Sequence, residues 1–245
     1  DVATPNNRSG GASFESLQWG YKNQGQAIPI ALDDLTSLMV QGRAGEDVGV
    51  TRAPKENLNS GKEVRIAILD TGLDFSHPEL LDRVVENTAE CKALAEYTKC
   101  TKTAANATAR TTCDQTYKNK DADGNGYPLD CSGWNMTAKS APGSSVWGDN
   151  DARDLNGHGT HVAGVVAARS DDGDGVSGIA QNVRILGVKV ISASPTEPVR
   201  PTSLNATAGA GAALPSPDEA SLKAGKGFGD LVARGLLYAI RSKAQ

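Results

Sequence analysis

The chain has 245 residues, with 25 Lys and Arg against 29 Asp and Glu for a formal charge of −4; it is 38% hydrophobic and only 4% aromatic. That length suffices for one large domain or two small ones with a buried core. No run approaches the ~20 apolar residues of a membrane-spanning helix, and no basic stripe offers itself to nucleic acid.

The acidity is local. Residues 121–174 hold nine Asp and no Glu, against Lys139, Arg153 and Arg169, so the remainder is slightly basic. Asp is short and favours tight loops, so a cluster of this kind points to cation ligation.

In chain order, the N-terminus Asp1-Val2-Ala3-Thr4-Pro5 has neither a basic nor an apolar leader region. A signal peptide is therefore not expected, and the chain reads as cytosolic or as a mature, processed form. Residues 64–70, Val-Arg-Ile-Ala-Ile-Leu-Asp, are almost continuously apolar and read as a buried parallel strand. The strand ends in Asp70, followed by Thr71-Gly72. In open α/β sheets functional groups gather at the carboxyl ends of strands. Asp70 is thus a candidate catalytic carboxylate; the plain alternative is a cap on a βα turn. D-T-G also opens the active loop of aspartic proteases, but those need two carboxylates sharing a proton, and only one copy occurs here.

Four cysteines fall at 91, 100, 113 and 131. With no C-x-x-C pair and no His among them, zinc is not expected. Two disulfides stapling an insertion over 88–118 are, which places the chain in an oxidising compartment. Three pairings are open. The sequential one, Cys91–Cys100 with Cys113–Cys131, closes the shortest loops and is the expected one.

Asp121-Ala122-Asp123-Gly124-Asn125-Gly126-Tyr127 follows the D-x-D-x-N-G pattern of a calcium loop. Alternate side-chain oxygens come from Asp121, Asp123 and Asn125, with a backbone carbonyl from Tyr127. An EF-hand would place Glu at 132, which is Ser, so the loop is of another kind. Asp171, Asp172 and Asp174 form a second, weaker cluster.

Asn156-Gly157-His158-Gly159-Thr160-His161 leads into a small-residue segment over 162–168 that reads as a closely packed helix. A His fixed at a helix start, with one nitrogen held by a partner, suits general-base work. H-x-x-H lacks the Glu of the metalloprotease pattern, so metal is not expected there. Gly175-Val176-Ser177-Gly178-Ile179 just misses G-x-S-x-G, because 179 is Ile. Residues 183–191 read as a second buried strand. The stretch 192–227, with Pro195, Pro198, Pro201, Pro215 and Pro217, reads as a surface insertion. Residues 229–241 place Leu231, Gly235, Tyr238 and Ala239 on one helical face. Strand, helix, strand, helix is the α/β pattern. Asn-x-Ser/Thr sequons at 7, 106, 135 and 205 carry no weight without a glycosylating pathway.

Taken together, I-L-D-T-G-x-D-x-x-H-P-E-L (68–80) and N-G-H-G-T-H-V-A-G-V-V-A-A (156–168) resemble the subtilase, or subtilisin-like, serine proteases. Ser177-Gly178-Ile179-Ala180, Leu186-Gly187-Val188-Lys189-Val190 and the opening Leu17-Gln18-Trp19-Gly20-Tyr21-Lys22-Asn23-Gln24-Gly25-Gln26 extend the likeness. The resemblance implies a three-layer α/β fold with a central, mostly parallel sheet, incomplete in this chain. Residues 1–245 would then be the N-terminal portion of one catalytic domain.

It also implies roles. Asp70 matches the triad aspartate and His158 the general base and acid, while His161 is structural. Gly72, Gly159 and Gly164 would permit close approach of strand, turn and helix. The G-T-S-M-A-type motif that carries the family's nucleophile is missing, and Ser177 aligns elsewhere. The Ser is therefore expected on a C-terminal segment or a second chain. Asp121-Ala122-Asp123-Gly124-Asn125-Gly126-Tyr127-Pro128-Leu129-Asp130 resembles a segment preceding G-W-N in bacterial subtilases, where Asp130 would supply the closing carboxylate to a structural Ca2+. Glu79 would join the second acidic cluster. The resemblance further implies protein or peptide substrates and a secreted enzyme with signal and pro-segment removed. The rival reading is an inactive, calcium-stabilised subtilase fragment or homologue serving as a partner module.

Overall fold

The computed structural model describes residues 18–31, 37–49, 63–138, 146–170, 175–180, 182–192 and 228–243. The strands are β1 (Ala27–Ala31), β2 (Ser37–Gln41), β3 (Val64–Asp70), β4 (Gly133–Asn135) and β5 (Val183–Lys189). The helices are α1 (Thr88–Thr103), α2 (Ala107–Tyr117), α3 (His158–Ala167) and α4 (Phe228–Arg241). Most of the expected insertion over 192–227, and Asp171, Asp172 and Asp174, lie outside the described residues.

The two apolar runs of the sequence become neighbours. β3 pairs in parallel with β5, from Val64 opposite Val183 to Asp70 opposite Lys189, and β4 pairs in parallel along the other edge of β5. The order is β3-β5-β4. Side chains alternate across a strand, so each run serves two cores. Ile68, Val183 and Ile185 pack with Leu73, Leu80, Val84, Ala163 and Ala167 on the face that carries α3. Leu186, Val188 and Val190 pack with Trp134, Leu231 and Tyr238 on the face that carries α4. Among the described residues, helix, sheet and helix make the three layers of an α/β fold, as the resemblance implies. A hairpin of β1 and β2 stands apart from this sheet.

Between β3 and β4 the chain forms the helical pair α1 and α2. It is joined by disulfides in an order that differs from the sequential pairing: Cys91 bonds Cys131, and Cys100 bonds Cys113. Geometry overrides loop length here. The antiparallel helices bring Cys100 and Cys113 face to face, with Cα atoms 5.8 Å apart. Cys91, in the first turn of α1, then meets Cys131 at the exit of the acidic loop, with Cα atoms 4.3 Å apart. A second correction concerns Gly164. A Cβ added there meets nothing within 4 Å, so no close approach requires that glycine.

Candidate active site

β3 delivers Asp70 at the carboxyl end of the sheet, and α3 begins at His158 beside it. Asp70 Oδ1 and His158 Nδ1 are 2.7 Å apart. The Asp70 side chain is only 12% exposed and that of His158 is 48% exposed. The carboxylate is therefore buried behind a ring that solvent reaches. A proton on Nδ1 facing Asp70 leaves the lone pair on Nε2 free to accept another. Asp70 Oδ1 also accepts the Thr71 N–H at 2.7 Å.

The geometry is held by glycines and by a second carboxylate. Gly72 has φ +119°, and a Cβ there would lie 2.6 Å from the Ala152 carbonyl and 2.7 Å from that of Arg153. A Cβ on Gly159 would collide with the Gly72 carbonyl and lie 3.1 Å from Asp70 Cβ. Only glycine lets the first turn of α3 sit against the end of β3. Gly157, which precedes α3, takes the left-handed conformation at φ 99°.

Asp154 had no role in the sequence reading, yet it organises this corner. Its Oδ1 accepts from Thr71 Oγ1 and from the N–H groups of Asn156 and Gly157, each at 2.9 Å. Its Oδ2 accepts the Thr160 N–H at 2.9 Å and Thr160 Oγ1 at 2.6 Å. Thr71 Oγ1 in turn accepts the Gly159 N–H at 2.9 Å. Burial alone would push the Asp154 carboxyl up. The bonds from Thr160, Gly157 and Asn156 outweigh it and hold the group below the usual carboxylate range. The capping position of α3 is Gly157, so Asp154, three residues earlier, stands outside the place where a capping oxygen is read from sequence, although it does accept N–H groups at the helix start.

Lys189, opposite Asp70 in the register, is buried and donates from Nζ to the Arg153 carbonyl at 2.9 Å. Burial lowers its pKa, while Asp154, Asp151 and Asp149 act to raise it. Ser177 sits elsewhere. Its N–H donates to Gln18 Oε1, and its carbonyl accepts from Gln18 Nε2. The neighbouring Gly178 and Ile179 bond to the last turn of α3. That is the far end of the helix from His158, on the order of 10–15 Å away at 1.5 Å per residue. His161 lies one turn along α3, and burial pushes its imidazole below the ordinary value.

At the acidic loop the structure brings Asp121 and Asp123 together with a residue the sequence reading missed. Oxygens of Glu90, Asp121 and Asp123 lie within 4.8 Å of one another. Glu90 is fully buried and accepts from the N–H groups of Ala122, Asp123 (3.1 Å) and Leu129 (2.6 Å). Asn125 and Asp130 bond each other, Nδ2 to Oδ2 at 2.9 Å, and Asn87 Nδ2 donates to both Asp123 and Asp130. The Tyr127 ring packs edge-on between Trp134 and Tyr238, anchoring the loop in the core. Burial pushes the Asp130 carboxyl up to about 7. Nothing in the sequence placed Glu90 here, because the rest of α1 and all of α2 intervene between it and the loop. Glu79 lies against Gly175, bordering the segment of the second acidic cluster.

The profile of the subtilase family matches residues 61–203. The chain is 29% identical over 133 residues to the thermophilic serine proteinase of Bacillus sp. (strain AK1), covering 54% of this chain and 19% of that protein. It is 28% identical over 149 residues to the major intracellular serine protease of Bacillus subtilis, covering 60% and 30%. It is 25% identical over 135 residues to subtilisin-like protease 1 of Plasmodium vivax, covering 55% and 16%. The chain thus spans less than a third of the length of each of these relatives.

Proposed function

Because the chain belongs to the subtilase family, we propose that it forms the Asp- and His-bearing part of a serine endopeptidase that hydrolyses peptide bonds in proteins. The observation that carries the reading is the 2.7 Å contact of Asp70 and His158 at the carboxyl end of a parallel strand. Asp70 fixes the imidazole orientation and stabilises its cationic form. His158 takes the proton of an attacking Ser and returns it to the leaving amine. The Ser stands outside residues 1–245, on a C-terminal segment or a second chain.

Two surfaces support such a completing segment. Among the described residues β3 is paired on one edge only. α4 buries Leu231, Tyr238 and Ala239 against the sheet and leaves Leu236, Leu237 and Ile240 exposed on the opposite side. A right-handed crossover from β5 through α4 would set a further parallel strand beside β3, next to Asp70.

Calcium is the second part of the proposal. Three converging carboxylates repel one another unless a cation lies among them, and an all-oxygen donor set suits a hard divalent ion. Asp121 and Asp123 would hold it with Glu90, joined by Asn125, the Tyr127 carbonyl and Asp130. Its task is structural, neutralising the loop that is anchored beneath β4. Secretion is supported by the two disulfides, and among the described residues no helix is long and apolar enough to cross a membrane.

Reading the native gene past the codon for Gln245 tests the proposal. A downstream G-T-S-M-A motif supports the protease. A stop codon, or a substituted Ser, favours the inactive partner module instead.

A further inference from the structure

We infer that the Cys91–Cys131 disulfide is a thiol-exchange site whose opening releases Glu90 from the acidic loop; the metal consequence of this release rests on the calcium reading above. Cys91 follows Glu90 directly. Glu90 binds the loop at both ends, at Ala122 and Asp123 on entry and at Leu129 on exit. Cys131 stands two residues beyond Leu129. The disulfide therefore spans the same junction as the carboxylate, pinning the first turn of α1 over the loop exit.

Little else fixes that turn. α1 buries only Glu90 and Ala93, and α2 buries only Cys113. The helical pair is attached to the body by polar and covalent links more than by apolar packing. Asn87 contributes its N–H to the Cys131 carbonyl and its amide to Asp123 and Asp130. These bonds are individually modest, of about 1 kcal/mol net, and each is exchangeable with water once the covalent tie is gone.

The two disulfides differ in access. Cys91 and Cys131 are both partly exposed, and Cys91 lines an open groove along α1 with Leu94, Ala95, Thr98 and Lys99, whereas the partly exposed Cys100 is bonded to a Cys113 that is only 3% exposed. Ser132 Oγ donates to Cys131 Sγ at 3.6 Å, a contact that stabilises negative charge on that sulfur. Exchange thus has a direction. The thiolate of an external dithiol attacks Cys91 Sγ, the Sγ–Sγ bond breaks, and Cys131 leaves as the stabilised thiolate. The second thiol of the reagent then attacks the mixed disulfide and expels Cys91. Two electrons pass from the dithiol to the protein, both cysteines take up a proton, and the reagent leaves as a cyclic disulfide.

The test is graded reduction of the oxidised chain with dithiothreitol, with trapped thiols mapped by mass spectrometry and amide hydrogen exchange followed in parallel. Cys91 and Cys131 are expected to be trapped before Cys100 and Cys113. The amides of Ala122, Asp123 and Leu129 are expected to exchange at least tenfold faster once they are, while Val188 in β5 keeps its protection. Cys91→Ser with Cys131→Ser reproduces the reduced behaviour, and Cys100→Ser with Cys113→Ser does not. Unchanged exchange at the three amides overturns the inference, as does prior opening of Cys100–Cys113 or loss of protection throughout β5. Titration with CaCl2 provides the metal arm, with at least tenfold weaker binding expected after reduction. Amides that respond in a chain that never binds calcium would sink the calcium reading and leave the clasp standing.

Discussion

Asp70 Oδ1 lies 2.7 Å from His158 Nδ1 across 88 residues of sequence. Neither side chain brings this about alone. β3 ends at Asp70, Thr71 turns its hydroxyl to Asp154, and Asp154 receives the N–H groups that open α3. The pair is built from the backbone outward. Its consequences can be measured one residue at a time.

Asp70→Asn should leave the fold intact and remove the anion that fixes the Nδ1–H tautomer. In the complete enzyme kcat should fall by about 10⁴-fold, with KM little changed. Peptide hydrolysis under saturating substrate, beside an unchanged circular dichroism melt, checks this. An activity within tenfold of the parent removes Asp70 from the mechanism.

Asp154→Ala strips five donors of their acceptor and should destabilise the chain by about 2–4 kcal/mol at neutral pH. The sign of its pH dependence follows from the lowered carboxyl. A group that ionises more readily when folded stabilises the native state above its unfolded pKa of about 3.9, and that contribution is lost as pH falls through the folded value. Urea unfolding at pH 6 and pH 3 should show the gap between parent and variant narrowing at the lower pH. A gap that widens on acidification contradicts the assignment.

The two glycines separate strain from open space. Gly72→Ala forces a left-handed alanine into the Ala152 and Arg153 carbonyls and should destabilise by about 2 kcal/mol or more. Gly164→Ala, inside α3 with nothing near its Cβ, should stabilise by up to ~1 kcal/mol. Denaturant midpoints of the two variants should move in opposite directions.

Calcium at about a hundred times its Kd should add roughly 2.7 kcal/mol, which for a chain of this size raises Tm by about 5–10 °C. EGTA should reverse the rise, and Asp123→Ala or Glu90→Gln should abolish it. A melt indifferent to both additions removes the metal.

The parts of this architecture legible in the sequence were those with a single strong cause. The apolar runs ending at Asp70 and near Lys189 read as buried strands, and H-G-T-H behind a glycine suits a turn into a closely packed helix; both elements are found. β4, three residues long, carries no period of its own and exists because β5 offers an edge. α1 and α2 escaped because their polar, Thr- and Lys-rich faces bury so little. That same helical pair set the disulfide pairing and carried Glu90 to the loop, so the shortest-loop argument failed. Asp154 escaped because its value lies in backbone N–H groups, which a sequence does not display.

The most direct test is covalent labelling of the intact gene product, and of residues 1–245 alone, with a serine-directed fluorophosphonate. Residues 1–245 alone should carry no label. The intact protein should carry one labelled Ser outside that range, with proteolysis lost in proportion to labelling and abolished by His158→Ala. A label on Ser177, or proteolysis that survives complete labelling, would contradict the central claim that Asp70 and His158 serve a serine supplied from beyond this chain.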